Sequence, residues 1–340
     1  MAQLINEKRL MLSLAKSIYS EDIKNQYFFP EQMDWNDLFQ ISSDNKVLLH
    51  IARTIRNQKE ITLNAKAINF LDLVQKKDEA HHKKLRKTLE IVNNVLGDNN
   101  YVLLKTFRNY PYLTHDVDIL VKDFNKAKNL FRNKGFSSEL PWYELIEFST
   151  HKKGLLEIEV YDKFGYGSMK LIDSDFLWKK RRNVKIEGIN TWTPSPEGDI
   201  LSLIARMNFQ MYKIGLGDIL YIFTCSKEAD WTSMIYQTKK YKWYKSFSKS
   251  ISVLNMIHRE LFGKPAITEK KFGLTKIQFN LPYIVTMQDF IIALSSQGWS
   301  NLIRLPSVYT VRIQNRNLKN AYSYVINERL AGLFIKYLYH

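Results

Sequence analysis

The chain has 340 residues, of which 45% are hydrophobic and 13% aromatic, and this composition excludes an intrinsically disordered protein. Its single cysteine, Cys225, excludes an intrachain disulfide and a cysteine-based zinc cluster. The formal net charge of +16 favours a polyanionic partner such as RNA, DNA or a nucleotide, although a lysine-rich composition alone gives the same charge.

Neither a signal peptide nor a membrane span is expected. The first 20 residues mix charged and apolar side chains, whereas a signal peptide needs a continuous apolar core. The most apolar stretch, residues 281–294, is shorter than the ~20 residues that cross a bilayer and contains Asp289. With one cysteine in the chain, we expect a cytoplasmic protein with no membrane partner.

The first part of the chain has apolar residues at helical spacing, and the part after about residue 100 has the patterns of strands. Residues 35–99 are predicted to be helical, with the last helix ending at Gly97. Short strands are predicted at 101–104 and 116–121, followed by a helix over 125–134 that Gly135 closes.

A hairpin and a helical region follow. Strands are predicted at 144–149 and 155–161, joined by a turn at 151–154. Ser195, Pro196 and Glu197 have the chemistry of a helix start, with a hydroxyl cap, proline at the first helical position and an acid in the first turn. From there the chain is predicted to be mostly helical, with breaks near residues 215–217, 263–265, 281–282 and 305–306.

The second predicted strand carries two aspartates in an otherwise apolar segment. Because successive side chains of a strand point to opposite faces, Asp116 and Asp118 share one face, and Val117 and Ile119 share the other. Two carboxylates held this close repel each other unless a divalent cation lies between them. Such pairs also occur on solvated sheet faces, so the pair alone is not specific.

Three short motifs together carry a resemblance. Leu103-Leu104-Lys105-Thr106, Asp116-Val117-Asp118 and Ile158-Glu159-Val160-Tyr161 resemble the nucleotidyltransferase superfamily typified by DNA polymerase beta. More narrowly, the chain looks like the prokaryotic group of uncharacterised nucleotidyltransferase-like proteins, over about residues 101–231. The resemblance implies an α+β fold, in which a small mixed β-sheet core (99–192) lies between an N-terminal helical segment (1–98) and a C-terminal helical domain (193–340).

The resemblance also implies an activity. A nucleotidyltransferase of this kind uses Mg²⁺ (or Mn²⁺) to move a nucleoside monophosphate from a nucleoside triphosphate such as ATP to an acceptor hydroxyl or phosphate, and it releases pyrophosphate. Asp116, Asp118 and Glu159 would be the catalytic and metal-binding residues. Glu157 shares the strand face of Glu159, so an exchange of their roles stays open.

One departure from the superfamily concerns the loop after the first strand. The superfamily usually has Gly-Ser or Gly-Gly where this chain has Thr106-Phe107, so side chains would have to bind the nucleotide, and Lys105, Thr106 and Arg108 are the candidates. This departure favours one alternative, a non-catalytic nucleotide-binding or RNA-binding protein on the same fold. A toxin-type enzyme that acts on tRNA also stays open, because it would use the same chemistry.

Two basic clusters could hold an RNA or tRNA acceptor. The first is residues 179–182 with Lys185, and the second is residues 239–249, where lysines alternate with aromatic residues. Alternatively, the aromatic residues of the second cluster form a buried helix face and its lysines are simply solvated. The acceptor could equally be a small molecule or a protein side chain, and the sequence does not indicate the oligomeric state.

Overall fold

The computed structural model describes residues 2–19, 34–57, 63–139, 147–166, 169–209 and 215–267. The predicted breaks at 281–282 and 305–306 lie outside these residues. In the described part, no helix is long and apolar enough to cross a membrane. The helices are α1 (Ala2–Ala15), α2 (Trp35–Asp44), α3 (Leu48–Asn57), α4 (Ala65–Leu96), α5 (Phe124–Asn133), α6 (Ser174–Lys179), α7 (Pro196–Phe209), α8 (Leu216–Ser226), α9 (Trp231–Lys240) and α10 (Tyr244–Phe262).

The main sheet has five strands in the order β1-β2-β5-β4-β3. Strands β2 and β5 are parallel and the other neighbours are antiparallel, so the sheet is mixed. Together with the surrounding helices, this sheet confirms the predicted α+β fold. The strands are β1 (Tyr101–Leu104), β2 (Asp116–Val121), β3 (Ser137–Glu139), β4 (Glu147–His151) and β5 (Glu157–Tyr161), with two separate hairpins formed by β6 (Phe164–Tyr166) and β7 (Met169–Ile172) and by β8 (Arg182–Ile186) and β9 (Ile189–Thr193).

Several predicted element ends are confirmed. The long helix α4 stops before Gly97, which has a φ of +81°, and Gly135 follows α5 with a φ of +76°. Pro196 is the first residue of α7, as predicted. The expected hydroxyl cap at Ser195 is wrong, because its Oγ atom is buried and has no hydrogen-bond partner.

The side chains on the two faces of the sheet pack in two different hydrophobic cores. One face contributes Val117, Ile119, Ile158 and Val160 to a smaller core with the second half of α4 and with α5. The opposite face contributes Val102, Leu104, Leu120 and Tyr161 to the larger core, which also contains residues from the N-terminal and C-terminal helices. Because Asp116, Asp118 and Glu159 lie on this second face, helices surround the carboxylates and limit their exposure to water. The predicted domain boundaries at 98/99 and 192/193 stay a prediction.

The second basic cluster has its larger aromatic residues buried. Trp243 and Phe247 are almost fully inaccessible, and Tyr241 and Tyr244 pack partly buried against the same core. Lys239, Lys240, Lys242 and Lys245 are exposed. This arrangement agrees with the alternative in which the aromatic residues form a buried helix face.

Three cations of the first basic cluster contact groups of the protein itself. Lys180 lies 2.9 Å from Asp230 and 3.2 Å from Glu197, and Arg182 lies 3.2 Å from Asp199. Arg181 stacks between two tryptophan rings. These contacts connect β8 with the C-terminal helices, so a contact of this cluster with RNA stays a prediction.

Candidate active site

Three carboxylates meet where β2 and β5 run side by side. The parallel register pairs Asp116 with Glu157 and Asp118 with Glu159. One carboxylate oxygen each of Asp116, Asp118 and Glu159 lies within 4.8 Å of the other two. The Glu157 carboxylate accepts a hydrogen bond from Ser149 on β4. Of the two glutamates that the sequence left open, the geometry therefore groups Glu159 with the aspartates.

Lys105 places a positive charge directly against this group. Its Nζ atom lies 2.8 Å from Asp118 Oδ1, and both side chains are nearly inaccessible, at 7% and 4% exposure. The same ammonium lies 5.0 Å from the ring centroid of Tyr161. The cation that the sequence assigned to nucleotide binding is thus paired with a carboxylate of the acidic group.

Tyr161 connects two of the carboxylates. Its hydroxyl oxygen lies 2.5 Å from Glu159 Oε2 and 3.0 Å from Asp118 Oδ1, so its proton is available to either oxygen. Since β5 is a strand, Tyr161 and Glu159 share a face and reach the same site. The hydroxyl therefore sets the spacing of these two carboxylates.

Burial and mutual repulsion shift the pKa values of the three acids apart. Burial, and then the charge of Asp118, raise the pKa of Glu159 to about 8 and also raise the pKa of Asp116. Burial alone would raise the pKa of Asp118 as well, but the Lys105 ammonium holds it below its usual value. Without a bound cation, the site holds an ionised Asp118 beside a protonated Glu159.

The loop after β1 contains a tight turn centred on Lys105. The Thr106 N–H donates to the carbonyl of Leu104 at 2.5 Å, and Lys105 has a φ of +56°, a conformation that glycine adopts most easily. The left-handed position thus falls one residue before the expected Gly-Ser site. The Thr106 hydroxyl donates to the Leu104 carbonyl and accepts from Asp118 N–H at 3.3 Å, so it joins the loop to β2.

Arg108 lies away from the carboxylates, in an ion pair with the C-terminal helices. Its guanidinium donates to Asp218 of α8 at 3.1 Å, and its side chain is only 1% exposed. Lys46, in the turn between α2 and α3, holds the other oxygen of Asp218 at 2.7 Å. Although burial opposes ionisation, these cations lower the pKa of Asp218 to about 2. Nucleotide binding by Thr106 and Arg108 stays a prediction.

Arg206 is a site residue that the sequence analysis missed. Its positive charge lowers the pKa values of Asp116, Asp118 and Asp218, and it disfavours the charged form of Lys105. Its charge therefore acts on both the acidic group and the Lys46–Asp218–Arg108 cluster. Arg206 belongs to α7, far along the chain from the sheet, and no motif or periodicity around it points to this position.

Comparison with known families agrees with the site geometry. A family model described as "Uncharacterised nucleotidyltransferase" matches residues 31–257, more than half of the chain. The chain belongs to this nucleotidyltransferase family. The resemblance found in the short motifs is thereby confirmed, and the match also extends over most of the described helices on both sides of the sheet. No curated protein and no solved structure gives a significant match.

The acidic group of this nucleotidyltransferase fits a hard divalent cation. Carboxylate oxygens are the ligands that Mg²⁺ and Mn²⁺ prefer, whereas Zn²⁺ and copper favour nitrogen or sulfur. Asp116 and Glu159 are partly open to solvent and Asp118 is buried. The chemistry of these three residues therefore fits a divalent cation.

Proposed function

We propose that the protein is a metal-dependent nucleotidyltransferase that moves a nucleoside monophosphate from a nucleoside triphosphate to an acceptor hydroxyl or phosphate, with release of pyrophosphate. The observation that carries this proposal is the close approach of the Asp116, Asp118 and Glu159 carboxylates, within 4.8 Å of one another, in a chain of a nucleotidyltransferase family. Membership of the family by itself does not specify the acceptor or the metal.

Each acid has a role that follows from its position. Asp116 and Asp118 on β2 supply oxygens from one strand, and Glu159 supplies an oxygen from the adjacent strand, so the three converge from two directions. Mg²⁺ or Mn²⁺ bound there neutralises the triphosphate and polarises the attacking and leaving oxygens. The Tyr161 hydroxyl positions the Glu159 and Asp118 side chains, and Lys105 provides a cation for the phosphates.

The test measures the transfer of label from a nucleoside triphosphate. Asp116→Asn and Asp118→Asn remove one negative charge each and preserve side-chain volume. We expect both to reduce Mg²⁺-dependent labelling of acceptor by at least about 100-fold, since transition-state charge is no longer neutralised. The assay uses each of the four triphosphates labelled at the α-phosphate, with total RNA and with a small-molecule cell extract as separate acceptors.

A matched control is Asp162→Asn, which removes an exposed carboxylate one residue after β5. It should label acceptor like the unsubstituted protein. Equal activity of Asp118→Asn and Asp162→Asn would contradict the proposal. The two acceptor pools separate an RNA acceptor from a small molecule, because label would appear in only one of them.

A non-catalytic binding protein on the same fold is the second candidate. The observation that favours it is the loop after β1, where a lysine rather than a glycine has the positive φ. If the protein only binds nucleotide, no acceptor would be labelled in the presence of Mg²⁺ or Mn²⁺. The nucleotide affinity would also be the same in Asp118→Asn as in the unsubstituted protein.

A further inference from the structure

We infer that Lys105 couples the binding of metal to the binding of nucleotide: its ammonium occupies Asp118 in the empty site and moves to the phosphates when metal and nucleotide bind together. This inference rests on the proposed function and adds an order of events to it. The residues involved are Lys105, Asp118, Tyr161 and the tight turn that carries Lys105.

The geometry opposes the binding of a metal ion to Asp118 Oδ1 while the Lys105 ammonium holds that oxygen. The Lys105 Nζ atom lies 2.8 Å from Asp118 Oδ1 and 3.4 Å from the Tyr161 hydroxyl, on the side of Asp118 where Glu159 also approaches. A divalent ion sits about 2 Å from its carboxylate ligands. An ammonium and a divalent ion on the same oxygen would therefore be a few ångströms apart and would repel each other strongly.

Lys105 needs a new anion before it can leave Asp118. Its side chain is 7% exposed, so an unpaired ammonium at this place would lose most of its hydration. The Asp218 carboxylate offers no replacement, since Arg108 and Lys46 already share it. The phosphates of a bound nucleoside triphosphate are anions of the right kind, and a lysine side chain is long and flexible enough to follow them.

Metal alone should therefore bind weakly, and metal with nucleotide should bind strongly. In the empty protein, a metal must displace Lys105 from Asp118 without any compensation. With a triphosphate present, the displaced ammonium gains a phosphate partner, so each ligand increases the affinity for the other. The same lysine then protects the buried Asp118 charge between turnovers.

The test compares Lys105→Met with the unsubstituted protein by electron paramagnetic resonance of free Mn²⁺. Without nucleotide, we expect Lys105→Met to bind Mn²⁺ about tenfold more tightly, a typical size for coupling between ligands. With the Mn²⁺ complex of an α,β-methylene nucleoside triphosphate, which cannot transfer its nucleotidyl group, the variant should bind more weakly than the unsubstituted protein. Unchanged Mn²⁺ affinity in Lys105→Met would overturn the inference.

Two further variants make the outcome specific. Lys105→Arg keeps a cation at the same position and should retain the weak Mn²⁺ binding of the unsubstituted protein. Lys105→Gln removes the charge but keeps a polar end, and it replaces Lys105→Met if that variant does not unfold cooperatively on heating. Asp118→Asn separates this inference from the proposed function. If Asp118→Asn still binds Mn²⁺, the metal site itself is contradicted. If Asp118→Asn loses Mn²⁺ binding but Lys105→Met binds Mn²⁺ like the unsubstituted protein, only the coupling by Lys105 is contradicted.

Discussion

The Tyr161 hydroxyl contacts two of the three carboxyl groups in the acidic group. It is within hydrogen-bond distance of both Glu159 and Asp118, and its ring lies against the Lys105 ammonium. Groups that orient metal ligands in this way commonly affect metal affinity or activity by about 10–100-fold. The sequence placed Tyr161 on the same strand face as Glu159, but its contact with Asp118 depends on the pairing of β5 with β2.

Replacing Tyr161 by phenylalanine removes this hydroxyl and keeps the ring beside Lys105. We expect about a tenfold loss of Mn²⁺ affinity and of transfer rate, because Glu159 and Asp118 lose their common hydrogen-bond partner. Mn²⁺ titration and the labelling assay measure both effects. The control is Tyr236→Phe, since Tyr236 is 62% exposed. If the two variants behave alike, Tyr161 has no positioning role.

At the level of elements, a buried carboxylate joins β8, α7 and α8. Asp199 Oδ2 accepts from the Tyr221 hydroxyl at 2.6 Å and from Arg182 at 3.2 Å. Burial nevertheless raises the pKa of Asp199 to about 6. Because this pKa is higher than the ordinary value of 3.8, the folded protein binds the proton more tightly than the unfolded chain does. Its contribution to stability is complete below about pH 4 and is lost as the pH rises through 6.

Asp199→Asn should remove this pH dependence. Asparagine keeps an oxygen acceptor for Tyr221 but does not ionise. From pH 4 to pH 7, the free energy of unfolding of the unsubstituted protein should fall by about 3 kcal/mol relative to the variant, which is about two pKa units. Urea unfolding of both proteins across this pH range measures the difference between their free energies of unfolding. The effects of the carboxylates that both proteins share cancel in this difference. A difference that does not change with pH would show that Asp199 is not the responsible group.

For the whole molecule, the turn between α2 and α3 is one place where the N-terminal and C-terminal helices meet. The Gly217 N–H donates to the Asn45 carbonyl at 2.9 Å, and Lys46 pairs with Asp218 beside it. A Cβ atom on Gly217 would lie 2.3 Å from the Tyr110 hydroxyl oxygen and 2.9 Å from the Lys46 carbonyl oxygen. The close approach of α8 to this turn therefore requires glycine, and it also positions Asp218, the partner of Arg108.

Gly217→Ala should destabilise the protein even though alanine favours helices more than glycine does. We expect a loss of about 2 kcal/mol in the free energy of unfolding, because backbone atoms of the turn cannot move aside as a flexible side chain would. Urea unfolding at neutral pH tests this. Glu228→Ala, at an exposed position just after α8, should change stability by less than about 0.5 kcal/mol. Equal effects of the two substitutions would mean that α8 does not pack closely on the turn.

The sequence by itself determined strands β1 and β2, the ends of α4 and α5, and the strand face that each acid occupies. These features depend on local signals: the alternation of side chains along a strand places Asp116 with Asp118, and Gly97 and Gly135 end helices whatever surrounds them. The short motifs were also enough to indicate the nucleotidyltransferase family that the match over residues 31–257 confirms.

Only the tertiary structure decided which groups meet. The parallel pairing of β2 with β5 brought Glu159 rather than Glu157 to the aspartates, and Lys105 contacts Asp118 across a loop. Arg108 pairs with Asp218, 110 residues away along the chain, a contact that the sequence did not indicate. Contacts between distant residues depend on how the elements pack, and no periodicity, cap or turn in the sequence records that packing.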